Sequence, residues 1–216
     1  MTVLTELDLY KVCHGTYEPD FPFDLIFQGR KDDETYVGVK RFGEIDVVAF
    51  RGSTTPLDWF RNFDLLPTFE RGVGWIGENF EDGLAAARGN LLTVIGPHVI
   101  VVGHSRGAGE ATDFACDLVL ADRPPIAVML LAPPRTSISS RQAELLARVP
   151  VRAYRNKGDP VTEVPPWCGH PYELINIDVP APGGDPWGPV APHHSELYGL
   201  AIAGLSPMPT YTAPSQ

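Results

Sequence analysis

The run His98 to Val102 (HVIVV) leads straight into Gly103-His104-Ser105-Arg106-Gly107 and then into an alanine-striped stretch, and no other feature constrains the fold of this chain as much. An unbroken apolar run of strand length suits a strand buried on both faces, as inside a parallel sheet. Ala108, Ala111, Ala115 and Leu118 recur at intervals of three and four. They form the inner face of a helix predicted over Ser105 to Ala121. The same alternation continues downstream. Ile126 to Ala132 (IAVMLLA) reads as a second buried strand, Ser139 to Arg148 as a helix, Val151 to Arg155 as a third strand, Leu174 to Val179 as a fourth, and His194 to Leu205 as a last helix. Upstream, Thr2 to Val12 reads as a short helix. Thr35 to Arg41 alternates as a strand and returns through a Gly43-Glu44 turn as Ile45 to Phe50. Ile76 to Ile95 has a helical pattern closed by Gly96-Pro97. Strands alternating with helices predict an α/β fold, a mixed, mostly parallel sheet flanked by helices.

With 216 residues, 44% of them hydrophobic, the chain is expected to form one domain over 1–216 with a sizeable core. Its net charge of −10 opposes phosphate, so nucleic acid is not an expected partner. No apolar run is long enough to span a membrane. The N-terminus has no basic segment followed by an apolar one, as a secretory signal would. A soluble, cytoplasmic protein is the default expectation, with a mature form or another export route left open. The three cysteines make a poor disulfide framework. Cys116 reads as a buried small hydrophobe within a helix, and a Cys13–Cys168 pairing stays open. From Gly158 onward there is no Lys or Arg, and 12 of the 22 prolines fall there. That stretch reads as long loops around one strand and one late helix, and such loops tend to carry function.

Gly103-His104-Ser105-Arg106-Gly107 matches G-x-S-x-G, a short pattern that gains meaning from standing between a strand and a helix. There it makes a sharp turn that lifts the Ser105 hydroxyl above the carboxyl end of the sheet. A Cβ at either glycine would strike the neighbouring strand or helix. The amide of Arg106 lies at the helix N-terminus, which favours negative charge. The bland alternative is a glycine-rich turn with a capping serine. A phosphate cradle is a weaker one, because the Gly-Lys-Ser/Thr ending of a nucleotide loop is missing.

A serine hydroxyl needs a base, and the base needs an orienting acid. With a serine on such a turn, the acid and then the base follow in chain order. Asp159, in Gly158-Asp159-Pro160, stands just past the third buried strand, on the same sheet edge as Ser105. Asp178 and Asp185 compete with it. Only His170, His193 and His194 come later. Cys168 and His170 with the histidine pair form at most a weak metal pattern, with no C-x-x-C or H-E-x-x-H. Phe50-Arg51-Gly52-Ser53 follows its strand directly, and Ser53 could donate through both amide and hydroxyl.

In this order the residues resemble the class 3 lipases, the fungal-lipase-like branch of the α/β-hydrolases. Phe50-Arg51-Gly52-Ser53 with Asp58-Trp59 is similar to the family's F-R-G-[ST] block and the [DN]-W after it. Val73-Gly74-Trp75 is a loose match to its V-x-x-G-F stretch. Gly103 to Ala108 is similar to its G-H-S-x-G-[GA] elbow. Asp159-Pro160-Val161 with Val164-Pro165-Pro166 resembles the block around its acid, and His193-His194 before Tyr198-Gly199 resembles its final histidine. The resemblance implies Ser105 as nucleophile, Asp159 as orienting acid and His194, with His193 as the lesser choice, as base. Ser53 and Arg106 take the oxyanion-hole positions.

The resemblance also implies a serine carboxylic ester hydrolase, a lipase or esterase, working through an acyl-enzyme with no cofactor and no metal. Its expected partner is an ester or lipid substrate, with transient contact at a lipid interface and no stable protein partner. An acyltransferase or cell-envelope esterase of the same fold, or a non-catalytic binding module, are the alternatives. Two departures stand out. The segment Thr54 to Leu66, at the lid position, reads more readily as core packing than as a short amphipathic flap, and Arg106 stands where a smaller or apolar residue is common.

Overall fold

The computed structural model describes residues 2–28, 35–53 and 67–214. A seven-stranded sheet organises them. Its strands are β2 (Leu25–Gln28), β3 (Tyr36–Phe42), β4 (Ile45–Phe50), β7 (His98–His104), β8 (Ala127–Leu131), β9 (Val151–Asn156) and β10 (Leu174–Ile177). Across the sheet they run β10-β9-β8-β7-β4-β3-β2. From β4 to β10 every pairing is parallel, and β3 and β2 complete the other edge by antiparallel pairing. The sheet is therefore mixed and mostly parallel, as its strand patterns predict.

Period-two alternation along the strands divides the core in two. Val48, Phe50, Val99, Val101, Val128 and Leu130 face one layer, and Val47, Ala49, Ile100, Val102, Met129 and Leu131 face the other. The first layer is closed by α2 (Glu78–Val94), α3 (Arg106–Leu120) and α4 (Arg141–Leu146) through Leu84, Leu91, Phe114, Leu118 and Leu145. The second is closed by α1 (Glu6–Gly15) and α5 (Ser195–Ala203) through Leu9, Val12, Tyr198 and Ile202. With both faces covered, the central strands can be apolar throughout. Thr5 opens α1 with a capping box, its side chain accepting from the Asp8 amide while Asp8 accepts from the Thr5 amide.

Three elements depart from the sequence reading. Residues 3–5 are not helical. They form β1 (Val3–Thr5), paired with β11 (Thr210–Thr212), a ladder between distant parts of the chain that no local pattern announces. The helix expected from Ile76 starts two residues later, because Ile76 belongs to β6 (Gly74–Gly77), hairpinned onto β5 (Pro67–Glu70) opposite Thr68. β2 was also missed, being only four residues long. The cysteines Cys13, Cys116 and Cys168 are free, buried thiols, so Cys13 and Cys168 are not bridged.

Candidate functional site

The parallel strands deliver their following loops to one sheet edge, the usual place for a site in such sheets. Ser105 lies between β7 and α3 with φ 58° and ψ −131°. This is the left-handed side of the map, costly for a residue with a Cβ and tolerated where the surroundings enforce it. Its amide donates to the Leu131 carbonyl at 3.0 Å, and its carbonyl accepts from the Ala108 amide at 2.8 Å. The flanking glycines are needed for close approach. A Cβ on Gly103 would come within 2.3 Å of the Gly107 carbonyl oxygen, and one on Gly107 within 2.3 Å of that of Phe50.

The fully buried imidazole of His193 bridges Ser105 and Asp159. Its Nε2 lies 2.8 Å from Ser105 Oγ, and its Nδ1 lies 2.9 Å from Asp159 Oδ2. Asp159 is placed by the turn after β9. Its Oδ1 accepts from the Val161 amide at 2.9 Å, and its Oδ2 accepts the Tyr198 hydroxyl at 2.6 Å. Burial pushes its carboxyl up. The imidazole, the tyrosine hydroxyl and the amide outweigh that, and hold it below the usual carboxylate range. An acceptor-only carboxylate at Nδ1 places the ring proton there and leaves Nε2 with a lone pair for the serine hydroxyl.

The structure thus brings His193 to the place assigned to His194 from the sequence. His194 turns away. Its ring stacks on Trp187 with centroids 3.7 Å apart, and its Nε2 lies 3.1 Å from Asp185. The reason lies in the local backbone. Residues Gly188–His193 form a 3-10 turn, and His194 caps α5, so two adjacent side chains leave in different directions. The competing carboxylates are accounted for as well. Asp178 pairs with Lys157 on the surface, and Asp185 holds His194 and the Trp187 amide. His170 bonds the Thr162 carbonyl through Nε2. No three histidine, cysteine or acidic side chains gather as a metal site among the described residues.

Ser53 follows β4, and its hydroxyl is buried with no hydrogen-bond partner among the described residues. The loop passes close over the elbow, since a Cβ on Gly52 would lie 2.8 Å from both the His104 carbonyl oxygen and Ser105 Cβ. Arg106 is the first residue of α3, and its guanidinium goes to Thr35 and Glu110. The segment Thr54 to Leu66, with Asp58 and Trp59, read as core packing rather than as a flap, lies outside the described residues.

Three participants carry no role in the sequence reading. Tyr198 accepts from the Asn156 amide at 3.0 Å while donating to Asp159. Tyr17 accepts from the Gly52 amide at 2.9 Å and lies 2.7 Å from His104 Nδ1. His104 Nε2 lies 3.1 Å from the His193 carbonyl oxygen. Burial first, and the neighbouring His193 second, push His104 down to about 3, so the ring is neutral at ordinary pH. Its one proton sits on Nε2 toward the carbonyl, and Nδ1 accepts from Tyr17. The spacing of Tyr198 behind the histidine pair was the one available signal for any of these.

A serine held on a strained strand-to-helix turn at the carboxyl edge of a mostly parallel sheet, with histidine and aspartate brought to it from later loops, is the arrangement of the α/β-hydrolase fold. Solved structures agree on the fold. The triacylglyceride lipase of Rhizomucor miehei superposes with a TM-score of 0.68 at 17% identity, over 82% of this chain and 83% of that one. The mono- and diacylglycerol lipase of Aspergillus oryzae gives 0.68 at 21% identity, over 84% and 82%. A triacylglycerol lipase described as having a serine protease triad at its catalytic centre gives 0.59 at 19% identity, over 76% and 78%. Residues 47–168 match the lipase (class 3) family, and the chain belongs to that family. Among curated proteins none matches it in sequence.

Proposed function

We propose that this chain hydrolyses carboxylic esters through Ser105, His193 and Asp159. The observation that carries the reading is the His193 imidazole, fully buried, within hydrogen-bond distance of Ser105 Oγ on one side and Asp159 on the other. Ser105 Oγ attacks the ester carbonyl carbon while His193 Nε2 takes its proton. Asp159 keeps the ring in the productive tautomer and stabilises the imidazolium. The carbonyl oxygen becomes an oxyanion held by the amides of Ser53 and Arg106, with the Ser53 hydroxyl as a third donor. One such donor is typically worth about 3 kcal/mol. That this buried hydroxyl has no partner among the described residues supports its assignment, since a buried polar group left unpaired is costly. The tetrahedral intermediate collapses by breaking the bond to the alcohol oxygen, which takes the proton from Nε2. Water then repeats the cycle on the acyl-enzyme.

The test is hydrolysis of short-chain p-nitrophenyl esters by the native chain and by Ser105→Ala. The native chain should turn over. The variant should fold and lose kcat by about a thousandfold or more. Equal turnover by the variant would refute the mechanism.

A further inference from the structure

Two consecutive carbonyls fix the turn that carries His193. That of His193 accepts from His104 Nε2 at 3.1 Å, and that of Pro192 accepts from Asn156 Nδ2 at 3.1 Å. His104 directly precedes Ser105, and Asn156 stands three residues before Asp159. The turn is thus hung between the two segments that His193 bridges. Pro192 has no N–H of its own, so its carbonyl is the main-chain group by which a neighbour can hold it.

Asn156 ends β9 and is fully buried. Tyr154, two residues earlier on the same face of the strand, packs in the core layer closed by α1 and α5. An aliphatic side chain would satisfy that layer. A carboxamide is costly there unless its groups are paired, and these are. Oδ1 accepts from the Val179 amide at 2.9 Å, and Nδ2 donates to the Val179 carbonyl at 2.9 Å as well as to Pro192. One N–H faces Oδ1 and two carbonyls face Nδ2, so the partners themselves fix the orientation of the amide. Among side chains this short, only asparagine offers one acceptor and two donors in one plane. The main chain of Asn156 completes the link. Its carbonyl accepts from the Asp159 amide at 3.1 Å, and its amide donates to Tyr198 Oη at 3.0 Å, whose hydroxyl donates to Asp159. One residue therefore holds the Asp159 turn by its backbone and the His193 turn by its side chain.

We infer that Asn156 is a positioning residue for His193. Its carboxamide sets where the Pro192–His193 peptide lies. It thereby sets the 2.8 Å approach of His193 Nε2 to Ser105 Oγ and the 2.9 Å approach of Nδ1 to Asp159. The inference rests on the ester-hydrolase reading above. Asn156 touches no reacting atom, so it acts through alignment. Without it, substrate binding stays and the proton transfers slow. A misplacement of about 1 Å in such a site can cost about a hundredfold in rate.

The experiment measures kcat and KM on p-nitrophenyl butyrate, and the rate of fluorophosphonate labelling. It compares the native chain with Asn156→Ala, Asn156→Asp and Leu118→Ala, each assayed well below its thermal midpoint. Asn156→Asp keeps the shape but turns the donor facing Pro192 into an acceptor. Leu118→Ala leaves a cavity in the opposite core layer and serves as a destabilised control. Both Asn156 variants should lose kcat by about thirtyfold to a hundredfold, with KM changed by less than about threefold and labelling slowed in proportion. Leu118→Ala should keep kcat within about threefold of the native value. Native kcat in a folded Asn156 variant overturns the inference. So does a loss confined to KM, or an equal loss of kcat in Leu118→Ala. Failure of both Asn156 variants to fold assigns the residue to the fold alone and overturns it as well. A native chain that neither turns over the ester nor takes the label removes the hydrolase reading itself, and the inference with it.

Discussion

The ring of His104 donates its Nε2–H to the main-chain carbonyl of His193 at 3.1 Å, so the residue before Ser105 is bonded to the backbone of the histidine that faces Ser105. The two rings lie 4.9 Å apart at 30°. Through Tyr17 the same imidazole reaches the Gly52 amide next to Ser53. One neutral side chain thereby ties the elbow, His193 and the Ser53 loop together.

That arrangement makes stability depend on pH. His104 is pushed down to about 3 by burial, whereas in the unfolded chain it titrates near about 6.5. Between those values the unfolded state binds the extra proton. Folding stability should therefore fall by up to about 1.4 kcal/mol for each unit of acidification across that window. Asp159, held below the usual carboxylate range, contributes stability that is present above about pH 4 and lost below it. Urea unfolding from pH 7 to pH 4 checks the first window. His104→Asn should be less stable at pH 7 and show a flatter profile below it. A native profile with no slope in that range would contradict the neutral, buried assignment.

The adjacent histidines separate cleanly. His193→Ala should lower kcat by about a thousandfold or more, while His194→Ala should stay within about tenfold on p-nitrophenyl acetate. Circular dichroism confirms folding in each case. The reverse order of losses would restore His194 as base.

Tyr198→Phe removes the hydroxyl that donates to Asp159 at 2.6 Å and accepts from Asn156. Bonds to a charged group contribute about 1.5–3 kcal/mol, and chemical denaturation should show a loss of that order. Activity should fall by about tenfold, because Asp159 keeps its bonds to His193 and the Val161 amide. An unchanged midpoint would show that the hydroxyl does not support the acid.

Gly103→Ala would set a methyl against the backbone of Gly107, which cannot move aside as a flexible side chain could. Overpacking typically costs 1–3 kcal/mol, and about 3 kcal/mol or more is expected here. Thermal unfolding of the variant measures it, and a native-like midpoint would mean the elbow is looser than its contacts indicate.

Much of this architecture was legible in the sequence because the central strands are apolar throughout and the helices striped. β4, β7, β8, β9 and α3 fall within two residues of the expected ends. The β1–β11 ladder and the β5–β6 hairpin were not legible, because short strands depend on partners rather than on their own pattern. Ser105 and Asp159 could be picked out because each lies within three residues of the end of a readable strand. The choice between His193 and His194 could not be made that way. Which ring faces Ser105 depends on one backbone turn at Pro192, His193 and His194, where adjacent residues face different ways. Tyr17 reaches the site from the far end of the chain through packing of α1 on the sheet, a contact that no spacing encodes.

The most direct test of the account is intact-mass spectrometry after exposure to a fluorophosphonate, on the native chain and on Ser105→Ala and His193→Ala. The account predicts a single adduct on the native chain, none on Ser105→Ala and strongly slowed labelling of His193→Ala. No adduct on folded native protein, or the same adduct on Ser105→Ala, would contradict it.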